Sequence, residues 1–204
     1  MPTTIILVRH CAHDLIDRIL VGRRIDVPLS AAGLEQAKRL AARLGARGLT
    51  RVVSSPQFRA LQTARPLAGD IGRAIEIAPE FDEVDFGEWS GRSFDQLHED
   101  TDWHRWNTRR DLGRPPGGES MAELQMRVLA GVLRLGEPHS NQVVAVVTHA
   151  EPIRAAVLAC RQIPLRAFAC VDVEPGAVVT LQVENRRVTL CGESDGVGAP
   201  MVAA

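Results

Sequence analysis

Residues 5–14 read IILVRHCAHD, and the first four of them decide how the rest of the chain is arranged. Ile5 to Val8 is apolar without alternation. A strand that puts one face to water alternates polar and apolar residues; one with no polar face is buried on both sides, the situation of a parallel sheet covered by helices. The run stops at Arg9, His10 and Cys11, where a guanidinium, an imidazole and a thiol stand side by side. A second strand of the same kind, NQVVAVVTHA at residues 141–150, ends at His149. In sheets of this kind ligands bind beyond the carboxyl ends of the strands. Arg9–His10 and Thr148–His149 therefore fall where a site is expected.

The segments around these strands carry helical periodicity. In PLSAAGLEQAKRLAARL (28–44), Ser30 is placed to cap a helix whose Leu34, Ala37, Leu40 and Leu44 share a face. Arg51 to Ser54 is a short strand. SSPQFRALQTARPLA (54–68) starts a second helix near Pro56, with Phe58, Leu61, Ala64 and Leu67 predicted inward. Residues 76–116 hold all three tryptophans and read as a strand followed by a loop-and-helix excursion. In GGESMAELQMRVLAGVLRL (117–135), Ser120 and Glu123 form a capping box. A further helix is predicted from Pro152, and residues 168–190 as two or three strands with turns at Pro175-Gly176 and Asn185. Alternating strands and helices give an α/β fold: a single-domain three-layer α/β/α sandwich with a mostly parallel central sheet. The domain is expected to span residues 1–192, with 193–204 a loose tail.

Composition narrows the function. Of 204 residues 24% are charged, and the formal net charge is −1. This gives no basic excess for nucleic acid and no basic face for a membrane. No apolar stretch approaches the ~20 residues that span a bilayer, and no signal peptide is apparent. Cys11, Cys160, Cys170 and Cys191 are far apart, without the spacing of a zinc site or disulfide framework. A cytoplasmic protein with free thiols is the expectation. The oligomeric state is left open, a homodimer included.

Arg9, His10, His149 and Arg59, the last in the first turn of a predicted helix, would together make an electropositive pocket suited to a phosphoryl group. Taken singly, each has a plainer reading, as a hydrogen-bonded histidine or a solvated arginine. His13, His98, His104 and His139 are read as surface or loop residues, and Trp103 and Trp106 as either cavity wall or core.

The motifs together resemble the histidine phosphatase superfamily, also called phosphoglycerate mutase-like. LVRHC is similar to LxRHG, and DVPLSAAGLEQA to DxPLTxxGxxQA. SSPQFRALQTA is similar to SSxxxRAxQTA, FDEVDFGEWSG to LxExxFGxWEG, PPGGES to PGGES, and VVTHA to VSHG. The resemblance implies a phosphoglycerate mutase-like fold and a phosphatase acting on a small phosphorylated metabolite, without metal or cofactor. It assigns His10 as nucleophile, forming a phosphohistidine. Glu83 would be the general acid and base, with Arg9, Arg59 and His149 holding the phosphoryl oxygens. Substrate contacts fall to these and Ala150. Arg109 and Arg110, in the excursion, are candidates for a second acidic group. The alternatives are a mutase-like phosphotransfer and a catalytically weakened phosphate-binding regulator. The sequence departs from the pattern at Cys11, Ile16, Ala150 and Glu151. Cys11 has no arginine six positions on, because residue 17 is Asp, so the C-x5-R arrangement of cysteine phosphatases is absent.

Overall fold

The computed structural model describes residues 1–137, 141–194 and 196–198. The first strand, β1 (Thr3–Arg9), is followed by α1 (Ala31–Gly45), β2 (Arg51–Ser54), α2 (Phe58–Asp70) and β3 (Ile75–Ile77). The excursion holds two single 3₁₀ turns, Pro79–Phe81 and Gly87–Trp89, and then α3 (Phe94–His98) and α4 (Thr101–Thr108). The chain continues with α5 (Met121–Gly136), β4 (Val143–Thr148), α6 (Ala150–Cys160), β5 (Asp172–Val173), β6 (Val178–Glu184), β7 (Arg187–Glu193) and β8 (Val197–Gly198). The main sheet has the order β3-β2-β4-β1-β6-β7. The first four of these strands run parallel, while β6 and β7 are antiparallel. Of the tail, Val197 pairs with Val173; residues 195 and 199–204 lie outside the described residues, as does His139.

The unbroken apolar runs have the expected cause. Ile5 and Leu7 of β1 face one core, and Ile6 and Val8 the other. In β4, Val144 and Val146 face the first, Ala145 and Val147 the second. The first core is closed by α5 and α6 through Leu124, Val128, Val132, Ile153 and Val157. The second is closed by α1 and α2 through Ala37, Leu40, Leu44, Ala64 and Leu67. Each fully buried Val, Leu or Ile contributes about 1.5–3 kcal/mol, so the strands cannot slip by one residue without exchanging both cores.

Helix starts follow their caps, and helix faces differ from expectation by a fraction of a turn. The Ser30 side chain accepts from the Gly33 N–H. The Ser120–Glu123 capping box is formed in both directions. In α1 the buried face is Gly33, Ala37, Leu40, Ala41 and Leu44, and Leu34 is exposed. Gly33 decides this: a Cβ there would lie 2.0 Å from the Ala12 carbonyl oxygen, so the helix touches the loop after β1 through a bare backbone. In α2 the inward residues are Arg59, Ala60, Thr63, Ala64, Leu67 and Ala68, while Phe58 and Leu61 are only half-buried. The last helix begins at Ala150, two residues before the expected Pro152.

Candidate active site

In the β1–β4 register Arg9 pairs with Thr148. His10 and His149 are thus the first residues beyond two adjacent parallel strands, and their rings meet edge to face at 5.2 Å between centroids. Both are buried. A cavity of about 680 Å³ opens here, lined at its floor by Arg9, His10, Arg59, Glu83 and Ala150.

The hydrogen bonds fix how each imidazole is protonated. Nδ1 of His10 lies 2.9 Å from the Cys11 carbonyl oxygen. A carbonyl only accepts, so Nδ1 carries the proton and Nε2 keeps its lone pair. Burial, followed by Arg59 and Arg9, holds this imidazole well below its ordinary pKa and keeps it neutral. In His149 the order is reversed. Arg59 Nη2 donates to Nδ1 at 3.1 Å. Nε2–H then donates to Ser55 Oγ at 2.7 Å, and Ser55 donates to Asp82 Oδ1 at 3.1 Å. His149 does not line the cavity. It stands behind Arg59 with both nitrogens engaged.

Arg59 also donates through Nη2 to the Gly22 carbonyl, 2.9 Å away. Gly22 has φ +56°, and a Cβ there would meet Ser90 Oγ at 2.7 Å, so the carbonyl is presented by a backbone that suits glycine alone. The remaining donors of Arg59, Nε and Nη1, are buried without a hydrogen-bond partner among the described residues, as is Arg9 Nε. Unpaired buried donors are costly, and three of them, on two guanidiniums, lie beside His10, an arrangement suited to an anion.

Glu83 is brought to this pocket by a clamp. Its carbonyl accepts from Arg23 Nε at 2.5 Å and Arg127 Nη2 at 2.8 Å. Arg127, on α5, also donates to the carbonyls of Glu80 and Asp82. Both arginines are held by Glu119 of the PPGGES segment, which also accepts from the Asp85 N–H. Burial first, and the Glu151 carboxylate second, push the Glu83 carboxyl up to about 7. A group at that value gives and takes protons at neutral pH.

Among the expected contacts, Arg110 lines the cavity and Arg109 does not. Arg109, just after the end of α4, instead pairs through Nε with Asp111 at 3.1 Å and is more than half exposed. Cys11 is also resolved. Its thiol packs in the core closed by α1 and α2, away from the cavity, and burial pushes it up to about 11. His13, expected at the surface or in a loop, lies in the loop after β1 but is buried, lines the cavity, and stacks on His10 at 5.3 Å with ring planes 24° apart. Burial, then Arg59 and Arg9, lower it to about 4. His98, His104 and Trp103 also line the cavity, whereas Trp106 is buried in an aromatic cluster with Phe86, Trp89 and Trp103. Ser55 and Asp82 lie inside motifs already singled out, and only the fold reveals their link to His149. Among the described residues no group of three or more His, Cys, Asp or Glu side chains is arranged to hold a metal ion, and no helix is long and apolar enough to cross a membrane.

Phosphoserine phosphatase 1 of Hydrogenobacter thermophilus is 32% identical over 190 residues, covering 90% of this chain and 88% of that one. The adenosylcobalamin/alpha-ribazole phosphatase of Escherichia coli is 28% identical over 187 residues, covering 90% and 92%. The solved structure of Bacillus stearothermophilus YhfR superposes with a TM-score of 0.86 at 27% identity, covering 95% and 96%. The profile of the histidine phosphatase superfamily, branch 1, matches residues 5–194, and the chain belongs to that family.

Proposed function

We propose that this phosphatase is a metal-independent phosphomonoesterase that works through a phosphohistidine on His10. The observation that carries the proposal is the His10 Nδ1–Cys11 carbonyl bond beside the three unpaired guanidinium donors of Arg9 and Arg59. It puts a neutral imidazole with a free Nε2 lone pair next to a site for an anion.

The phosphate of the ester is held by Arg9 and Arg59, with the amino end of α6 at Ala150 adding a favourable dipole. Nε2 of His10 attacks phosphorus, and the bond from phosphorus to the ester oxygen breaks. Charge spreading over the equatorial oxygens is met by fixed donors. The leaving oxygen takes the proton of Glu83. In the second half Glu83, now a carboxylate, takes a proton from water as that water attacks phosphorus. The phosphorus–nitrogen bond breaks, and His10 returns neutral. His149 is a positioning residue, holding Arg59 through Nδ1 while Ser55 and Asp82 fix its ring. The alcohol is part of a small phosphorylated metabolite.

The test is hydrolysis of p-nitrophenyl phosphate in the presence of a metal chelator. Wild type is expected to release phosphate, and His10→Ala to lose about three orders of magnitude or more, as when a nucleophile is removed. Acid-labile, base-stable label on the protein after a quench from radioactive substrate identifies phosphohistidine. Full activity in His10→Ala overturns the assignment.

A further inference from the structure

Outside the phosphoryl pocket, the two arginines that line the cavity, Arg110 and Arg154, share one carboxylate, Glu151. Arg110 lies flat between the rings of Trp106 and Phe168, its guanidinium carbon 3.7 and 3.6 Å from their centroids. Its Nη1 is 2.7 Å from Glu151 Oε1, and its Nη2 donates to Asn107 Oδ1 at 2.8 Å. Arg154 donates through Nη1 to the same Glu151 oxygen at 2.7 Å and through Nε to the Val171 carbonyl at 2.6 Å, and its Nη2 is 3.5 Å from Asp172. A substrate carboxylate is bound well by two parallel donors of one guanidinium fork. Each pair of adjacent donors has a member in use, Nη2 of Arg110 with Asn107 and both Nε and Nη1 of Arg154; Nε and Nη1 of Arg110 make no hydrogen bond among the described residues, but they are buried between the two rings, with the Glu151 carboxylate against Nη1.

The rest of the lining points the same way. Asp17, Asp172 and Glu174 join Glu151 around the cavity, so carboxylates outnumber the two arginines there. Ile16, Ile19, Phe94 and Trp103 supply an apolar wall. The cavity, at about 680 Å³, has room for a group well beyond a phosphate and a three-carbon chain.

We propose that the substrate's only anion is the phosphate being removed, and that its alcohol is an uncharged, ring-sized organic group seated against Phe94 and Trp103. The inference rests on the phosphatase reading and goes beyond it. Glu151 becomes a specificity residue: it neutralises Arg110 and Arg154 where they would otherwise attract a second acid.

The experiment compares 2-phenylethyl phosphate with O-phosphoserine and 3-phosphoglycerate. All three are esters of primary alcohols, so leaving-group ability differs little among them. The ring-bearing ester is expected to have the larger kcat/KM, by about tenfold or more, the worth of burying part of a ring against an apolar wall. In Trp103→Ala that advantage shrinks. In Glu151→Gln the ratio of 3-phosphoglycerate to 2-phenylethyl phosphate rises, and a ratio cancels any change in chemistry common to both. Equal or better turnover of either carboxylate ester by wild type overturns the inference and leaves the phosphatase reading intact. Binding of two stable phosphonates, 3-phenylpropylphosphonate and 3-phosphonopropanoate, to wild type is measured by calorimetry. It decides the inference independently of turnover and of whether Glu151→Gln folds: tighter binding of the phenyl compound supports it, and equal or tighter binding of the carboxylate overturns it. Absence of hydrolysis of every ester would instead remove the phosphatase reading.

Discussion

Replacing Glu83 by Gln separates the demand of catalysis from the demand of folding. The buried carboxyl has its pKa pushed from an ordinary 4.5 up to about 7, by burial first and Glu151 second. A raised carboxyl binds its proton more tightly in the folded state than in the unfolded one. Between about pH 4.5 and 7 the folded chain therefore holds more protons, and stability falls as pH rises through that window. Integrated from pH 5 to pH 8, a shift from 4.5 to about 7 removes about 2.5 kcal/mol. Gln keeps the shape and the acceptor for the Val84 N–H, which Glu83 Oε1 now receives at 2.9 Å, and it never ionises. The variant should gain on wild type by about 2.5 kcal/mol on going from pH 5 to pH 8, or about 5–10 °C in relative Tm for a domain of this size. Activity should fall by about 10²–10⁴, the usual worth of a general acid. Thermal unfolding of both proteins at the two pH values measures the difference of differences, in which other titrating groups largely cancel. A Tm difference that does not change with pH would refute the reasoning, because Glu83 would then titrate near its ordinary value.

Two further outcomes follow from the same geometry. Cys11→Ala removes a fully buried sulfur from the core and should cost about 1 kcal/mol while leaving kcat/KM within about twofold, since the thiol faces away from the cavity; loss of turnover would bring the thiol back into the chemistry. The pH profile of kcat/KM should fall above about pH 7, by up to tenfold per unit, as Glu83 loses the proton it must donate. His10, held well below its ordinary value, should add no rising limb near 6.5. The second ionisation of a phosphomonoester, near pH 6, is common to all substrates and can be subtracted. A profile flat to pH 9 would count against Glu83 as the acid.

What the sequence made legible was whatever depends on local pattern. Ile5 to Val8 and Val143 to Val147 announced buried parallel strands because a strand without a polar face has nowhere else to go. Ser30 and Ser120 announced helix starts because capping is a contact within four residues. The site residues at strand ends and in the first turn of α2 were legible for the same reason: topology brings those ends together whatever the loops do. The faces of α1 and α2 were off by a fraction of a turn because their orientation is set by distant contacts, Gly33 against the Ala12 carbonyl and Arg59 beneath Gly22. Periodicity cannot register a glycine chosen for close approach, and it ranks a buried arginine as a surface residue.

The parts of the site that stayed hidden are those whose partners come from three or more segments. Nothing near His13 in sequence predicts that its ring stacks on His10. Arg109 and Arg110 look equivalent on the page, yet one pairs with Asp111 in solvent and the other is buried between Trp106 and Phe168. Glu151 reads in the sequence as a departure from the family pattern after the second histidine. Alone, a carboxylate buried there would be expected to protonate or to destabilise the fold. Burial does raise its pKa, but Arg110 and Arg154 outweigh that and hold the carboxyl below its ordinary value. Its charge acts in turn on Glu83, which it helps to keep protonated. The departure at Glu151 is therefore one half of a change whose other half is the pair of arginines. Those partners, drawn from the excursion and from the next turn of α6, turn a position that would carry no charge into one that tunes the proton donor and closes the cavity to a second acid.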